Sequence, residues 1–208
     1  MSKGLFITFE GIDGSGKSTQ AKLLAKSLED SGRNVILTRE PGGSSGAELI
    51  RKLLVEGPPN RWSAETELLL FTAARRDHIE KTINPSLAAG KIVISDRYAD
   101  STRVYQGVTR GELRSSVDKL HELMIVKEPD LTFIIDMDPS VALKRGLSRN
   151  SGEDRFEEFG LSFQYKLREG FIELQKDFNS RCIVLDGSEK INSLSSKIYK
   201  LVQKKLDD

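Results

Sequence analysis

The chain has 208 residues, with 32 Lys and Arg against 31 Asp and Glu and a formal net charge of +1. That length suits one α/β domain that can bury a core without disulfides or a structural metal, and the balanced charge argues against wrapping nucleic acid or lying on an anionic membrane. A single cysteine, Cys182, excludes an internal disulfide; with no signal-peptide pattern and no apolar run approaching a membrane span, the cytoplasm is the expected location.

The first element is an apolar strand, Leu5-Phe6-Ile7-Thr8-Phe9, which delivers Gly11-Ile12-Asp13-Gly14-Ser15-Gly16-Lys17-Ser18 and then Thr19 into a helix over about 17 to 31. This is a full G-x-x-x-x-G-K-S match between a strand and a helix. A glycine-rich turn there aims backbone N–H groups into one concavity, where the helix dipole favours an anion. Lys17 is expected to reach the β and γ oxygens of a nucleotide and the Ser18 hydroxyl to be a magnesium ligand. A second strand, Asn34 to Thr38, runs into Arg39-Glu40-Pro41-Gly42-Gly43, a turn at the carboxyl edge where open α/β sheets bind ligands. Arg39 and Glu40 could be a solvated pair at a strand end; their position beside the phosphate loop favours a functional role.

Helices are expected at 45 to 56 and, after the break Gly57-Pro58-Pro59-Asn60, at about 64 to 83. In the latter, Phe71 and Arg75 share a face, an aromatic beside a guanidinium that could seat a nucleobase, although phenylalanine on a helix is more often core. His78 and His121 have no neighbouring ligand residues, so a zinc site has little support. The third strand, Lys91 to Ser95, delivers Asp96-Arg97-Tyr98 to the same edge, with Asp96 in the position of a Walker B acid that holds magnesium or its waters. If the next segment is helical, Ser101/Tyr105 and Thr102/Gln106 form two i,i+4 pairs of polar groups. A helix at 112 to 127, a strand from Leu131 to Asp136 and a helix opened by Pro139 follow. The charged run from Arg145 to Glu158, with Arg149, Arg155 and the break Asn150-Ser151-Gly152, reads either as a solvated loop or as a mobile lid that brings arginines over phosphates. A long helix to about 179, a strand from Arg181 to Leu185 that holds Cys182 as a small core residue, and an amphipathic helix with Ile191, Leu194, Ile198 and Leu201 complete an alternating pattern. That pattern predicts a five-stranded parallel sheet with helices on both faces, a single domain over 1–208.

Glu10 through Thr19, Thr38 to Gly43, Phe71-x-Ala-x-Arg75, Asp96-Arg97-Tyr98 and Ser101-Thr102-x-x-Tyr105-Gln106-Gly107, in this order, resemble thymidylate kinase of the bacterial type. The resemblance spans the chain. It implies a P-loop nucleoside-monophosphate-kinase fold, transfer of the γ-phosphoryl of ATP to dTMP with Mg²⁺ as a step toward dTTP, and a homodimer through packed helices. It would place Arg39 and Arg97 on the dTMP phosphate, Phe71 on thymine, Arg75 and Gln106 on the base edge, Tyr105 near the sugar with Ser101 and Thr102 alongside, and Asp13 near the 3′-hydroxyl and metal. Gly11 to Thr19 and Arg145 would bind ATP, and Ser18 and Asp96 the metal. In one branch of the family the position of Gly14 is an arginine; glycine here resembles the other branch, whose lid at about 145–158 supplies the cation, with Arg149 and Arg155 matching. Val104 stands where alanine is commoner.

The phosphoryl acceptor is already ionised at neutral pH, so catalysis should rest on positioning, with Asp13 near the 3′-hydroxyl and metal, and on charge neutralisation by Lys17, Arg97, Mg²⁺ and a lid arginine rather than on a strong base. A GTP-driven switch would share the phosphate loop but needs D-x-x-G after the third strand and N-K-x-D for guanine, and neither is present. A kinase for another nucleoside monophosphate, or for a nucleoside, is the nearer rival, and the Phe71, Arg75 and Gln106 set argues against it.

Overall fold

The computed structural model describes residues 4–58, 60–107, 113–147 and 160–207. Its strands are β1 Leu5–Glu10, β2 Val35–Arg39, β3 Ile92–Asp96, β4 Leu131–Asp136 and β5 Cys182–Asp186, joined in one parallel sheet in the order β2-β3-β1-β4-β5. The helices are α1 Lys17–Asp30, α2 Ser45–Val55, α3 Ala64–His78, α4 Asn84–Ala88, α5 Ala99–Tyr105, α6 Arg114–Leu120, α7 Pro139–Leu147, α8 Leu161–Asp177 and α9 Ile191–Asp207. A π-helical turn, Ile79–Ile83, prolongs α3, and a second, His121–Ile125, prolongs α6. The expected helix at 64 to 83 is therefore an α-helix running into a π turn, and so is that expected at 112 to 127, though it spans only Arg114–Ile125: residue 112 lies outside the described residues and Val126, with φ of 63°, leaves the helix.

Side-chain alternation along the strands splits the core into layers. Leu5, Ile7 and Phe9 of β1, Ile92 and Ile94 of β3 and Leu131, Phe133 and Ile135 of β4 meet Leu24 and Leu28 of α1 and Leu194, Ile198 and Val202 of α9. On the opposite face Phe6 and Val93 pack with Ile79, Ile83 and Tyr98, while Ile134 and Cys182 pack with Val104 of α5 and with Leu167 and Phe171 of α8. Each such fully buried aliphatic or aromatic side chain contributes about 1.5–3 kcal/mol. Register then fixes the site: Phe9, Asp96 and Arg39 lie in line across β1, β3 and β2, so the residues that follow leave the sheet at one edge. Arg97 N–H donates to Phe9 O at 2.9 Å and Glu40 N–H to Asp96 O at 2.9 Å, which keeps that edge regular one residue beyond the ladder.

Candidate active site

At this edge the chain between β1 and α1 turns on glycines that only glycine can satisfy. Gly11, Gly14 and Gly16 have φ of 133°, 81° and 103°, and a Cβ on Gly14 would run into the carbonyl oxygen of Ala142 on α7. No arginine can stand at position 14 while α7 lies there. Gly16 caps α1 without a side-chain hydrogen bond, and the first turn of α1 carries no acid. Its leading N–H groups are thus left for an external anion.

A cavity of about 270 Å³ opens beside this loop. Asp13, Lys17 and Ser18 line it from the loop and α1, Arg39, Glu40 and Pro41 from the end of β2, and Arg51 and Val55 from α2. Phe71 and Arg75 come from α3, Asp96, Arg97 and Tyr98 from the end of β3, and Ser101, Thr102, Tyr105 and Gln106 from α5 and its C-terminus. Among these residues five cations face three carboxylates, a bias that draws an anionic ligand.

Arg97 is the hub. Its backbone is left-handed, with φ of 70°, a conformation that costs a non-glycine residue about 1–2 kcal/mol. The guanidinium donates to Asp13 Oδ1, to Tyr105 Oη at 3.1 Å, to Ser101 Oγ at 2.9 Å and to Gly11 O at 3.2 Å, and lies 5.1 Å from the centre of the Tyr105 ring. Tyr105 in turn donates to Asp13 Oδ2 at 2.8 Å. Burial works against the charge on Asp13, yet Arg97 and Lys17 hold its carboxyl well below the usual carboxylate range. Lys17 Nζ donates to Ile12 O at 2.9 Å and stands 3.6 Å from Asp13; burial, with Arg97 close by, pulls its pKa below that of a free lysine.

Beneath Arg97 lies Glu10. Its Oε1 accepts from the N–H groups of Tyr98 at 2.7 Å and Ser101 at 3.3 Å, and its Oε2 from Ser101 Oγ at 2.6 Å. Burial, reinforced by the charge of Asp100, pushes the Glu10 carboxyl up to about 7.

Arg39 and Glu40 part company. Arg39 stays on the rim, paired with Glu48 at 3.2 Å, whereas Glu40 turns inward and binds Arg75 Nε at 2.7 Å and His78 Nδ1 at 3.0 Å. Glu40 is therefore no solvated strand-end residue: burial opposes its ionisation, but Arg75 and His78 lower its pKa. His78 is wholly buried, with Nε2 2.8 Å from Thr38 Oγ1, which makes it a strut between β2 and α3. Arg75 reaches on to Thr102 Oγ1 at 3.0 Å and stacks on Tyr98, 5.2 Å from its ring centre.

Of the residues expected from sequence, Lys17, Asp13, Ser18, Arg39, Phe71, Arg75, Asp96, Arg97, Ser101, Thr102, Tyr105 and Gln106 meet at this cavity. Gly11, Ile12, Gly14, Ser15 and Gly16 shape the loop beside it; Ile12 sends its side chain into the core. Thr19 is exposed on α1 and Arg145 is exposed on α7, both outside the cavity lining. Arg149 and Arg155 lie outside the described residues. Sequence reading missed Arg51, which donates to Pro41 O at 2.6 Å, and also Val55 and the buried Glu67. Arg51 carries no signal of its own in sequence, being one more arginine on an amphipathic helix. Hard oxygen donors for a divalent cation are at hand, since Asp96 Oδ1 is buried without a protein partner and Ser18 lines the same cavity. Among the described residues no cluster of three or more His, Cys, Asp or Glu side chains is set to cage a metal, and no helix is long and apolar enough to cross a membrane.

Comparison with known proteins agrees with the geometry. The thymidylate kinase family model matches residues 9–198. A thymidylate kinase of Dinoroseobacter shibae is 69% identical over 185 residues, spanning 89% of this chain and 89% of that relative, and one of Ruegeria pomeroyi is 58% identical over 96% of this chain and 94% of its own. The crystal structure of thymidylate kinase from Ehrlichia chaffeensis superposes with a TM-score of 0.79 at 41% identity, covering 97% of this chain and 99% of that one.

Proposed function

The chain belongs to the thymidylate kinase family and phosphorylates dTMP to dTDP with ATP; within that activity we propose the following roles for its residues. Phe71 stacks on the thymine, Arg75 and Gln106 meet its edge, and Tyr105 lies against the sugar with Ser101 and Thr102. Arg39 and Arg97 hold the dTMP phosphate, and Asp13 sits near the 3′-hydroxyl. The observation that carries this reading is the convergence of Phe71, Arg75, Arg97, Tyr105 and Gln106 on one cation-rich cavity beside the phosphate loop.

Gly11 to Thr19, with Arg145, take the ATP phosphates, the loop N–H groups and Lys17 neutralising charge as donor and acceptor approach. Ser18 and Asp96 would hold Mg²⁺, supported by the unpartnered Asp96 Oδ1; when bound, the ion supplies Lewis-acid neutralisation of phosphate oxygens. Arg97 keeps the acceptor oxygen oriented, and no general base is needed because that oxygen is already anionic. Arg149 and Arg155, on a lid within 145–158, bring the remaining cation. Support for this comes from Gly14, whose contact with Ala142 leaves the loop no room for an arginine of its own.

We read 1–208 as one kinase domain acting in the cytoplasm as a homodimer. Exposed Leu69 of α3 and Leu123, Met124 and Val126 on or next to the second π turn, an element packed on α3, support the pairing. A coupled ADP-release assay over dTMP, dUMP, UMP, CMP, AMP and GMP tests the substrate reading. dTMP should exceed dUMP only modestly, one methyl group being worth about 1–3 kcal/mol, and UMP should be far worse. Equal kcat/KM for UMP and dTMP would overturn it, as would activity that fractionates with membranes for the location.

A further inference from the structure

Gln106 ends α5 with its side chain wholly buried, and it lines the cavity. Its Nε2 donates to Glu67 Oε2 at 3.1 Å, while its Oε1 is buried without a hydrogen-bond partner. Glu67 is itself wholly buried on α3 and is absent from the cavity lining. It stands one helical turn before Phe71 and two before Arg75, on the face of α3 that carries both.

An amide presents a donor on one side and an acceptor on the other, and a half-turn of its last bond exchanges them. A carboxylate offers acceptors only. With Glu67 behind it, Gln106 must turn its NH₂ inward, because the flipped amide would set its oxygen against the Glu67 carboxylate oxygen in a buried site. The acceptor Oε1 is then reserved for a ligand.

We infer that Glu67 is a positioning residue that fixes the polarity of the Gln106 amide, so that the site reads a pyrimidine whose N3 carries a hydrogen and rejects one whose N3 is itself an acceptor. Thymine and uracil satisfy this pattern; cytosine does not. Discrimination against dCMP thus originates partly in a carboxylate that never touches the nucleotide. The inference rests on the reading that Gln106 faces the base.

The test is the ratio of kcat/KM for dTMP to that for dCMP, which a partly unfolded preparation leaves unchanged because both substrates meet the same folded fraction. Glu67→Gln keeps the size of the side chain but can donate as well as accept, freeing Gln106 to flip. The ratio should fall about tenfold or more, through a raised KM for dTMP, while the KM for ATP stays within about twofold. The double variant E67Q/Q106E restores a donor behind and an acceptor in front, and should recover most of the ratio. Q106L separates the two levels of the argument. If Q106L cuts the ratio but E67Q leaves it within about twofold, the role of Glu67 is wrong while the base contact stands. If Q106L leaves the ratio intact, the base contact is wrong and the inference falls with it. Should E67Q fail to fold, the double variant decides: a ratio near the parent's supports the inference, and one as low as that of Q106L overturns it.

Discussion

Arg97 concentrates the chemistry of the site in one residue. Its left-handed backbone and its bonds to Asp13, Ser101, Tyr105 and Gly11 leave a planar fork held from several sides. Lysine carries the charge but not the fork. R97K should therefore lose about a hundredfold in kcat/KM for dTMP, and a loss below about fivefold in the ADP-release assay would refute its role on the phosphate. Glu10, which supports the Arg97 turn from below, has a distinct pH signature. Its carboxyl is raised by burial from 4.5 to about 7, so between those values the folded state holds a proton that the unfolded state has released. Stability from this group is full below pH 4.5 and is lost as pH rises through about 7, with a slope of at most about 1.4 kcal/mol per pH unit. E10Q cannot titrate. Urea unfolding of parent and E10Q from about pH 5 to 8 should show the parent falling relative to the variant; parallel curves would remove the assignment.

At the scale of elements, α5 is the piece that must not move, since it carries Ser101, Thr102 and Tyr105. Its first turn is anchored by Asp100, wholly buried, which accepts from Arg181 at 2.6 and 2.9 Å and from Arg103 at 2.8 Å. Arg103 reaches Asp118 and Glu128, and both arginines stack on Phe178, at 4.7 and 4.4 Å. Removing one partner of such a buried pair strands the other, so R181M should cost about 3–5 kcal/mol in denaturant unfolding; a cost under about 1 kcal/mol would mean that Arg103 alone satisfies Asp100. The lid proposed at 145–158 would be needed only as charge develops. R149A or R155A should lower kcat at least about a hundredfold and move the KM for dTMP much less. Both singles and the double variant staying within about threefold of the parent would assign the missing charge to Lys17 and the metal alone.

For the whole molecule, the question is what covers the apolar side of α3 and the second π turn. Leu123 and Val126 are 72% and 71% exposed, with Leu69 and Met124 nearby on packed elements. A two-fold pairing that buried this surface would be self-complementary. Sedimentation velocity at micromolar concentration should give a dimer, and L123E combined with M124K a monomer with an unchanged unfolding midpoint for the isolated fold. A parent that sediments only as a monomer would contradict the pairing.

The phosphate loop, the strands and the helix order were legible in the sequence because each rests on local physics. Gly11, Gly14 and Gly16 declare the φ values that a tight strand-to-helix turn demands, and the apolar runs around Ile7, Ile94 and Phe133 declare strands buried on both faces. Most of the residues that line the cavity were legible as well, since the sheet edge collects whatever follows β1, β2 and β3; Arg51 and Val55, on α2, were not. What the sequence did not disclose is which charges pair. Glu40 and His78 are 38 residues apart, Glu67 and Gln106 39, and Asp13 and Arg97 84. Helical spacing puts Glu67 rather than the exposed Glu65 on the face of Phe71 and Arg75, but nothing in the sequence says that this carboxylate is buried against Gln106. Only the register of β1, β2 and β3 and the approach of α3 to α5 bring these partners within hydrogen-bond reach. Burial then makes every pairing obligatory, because an unpaired charge in that interior would cost more than the fold can supply.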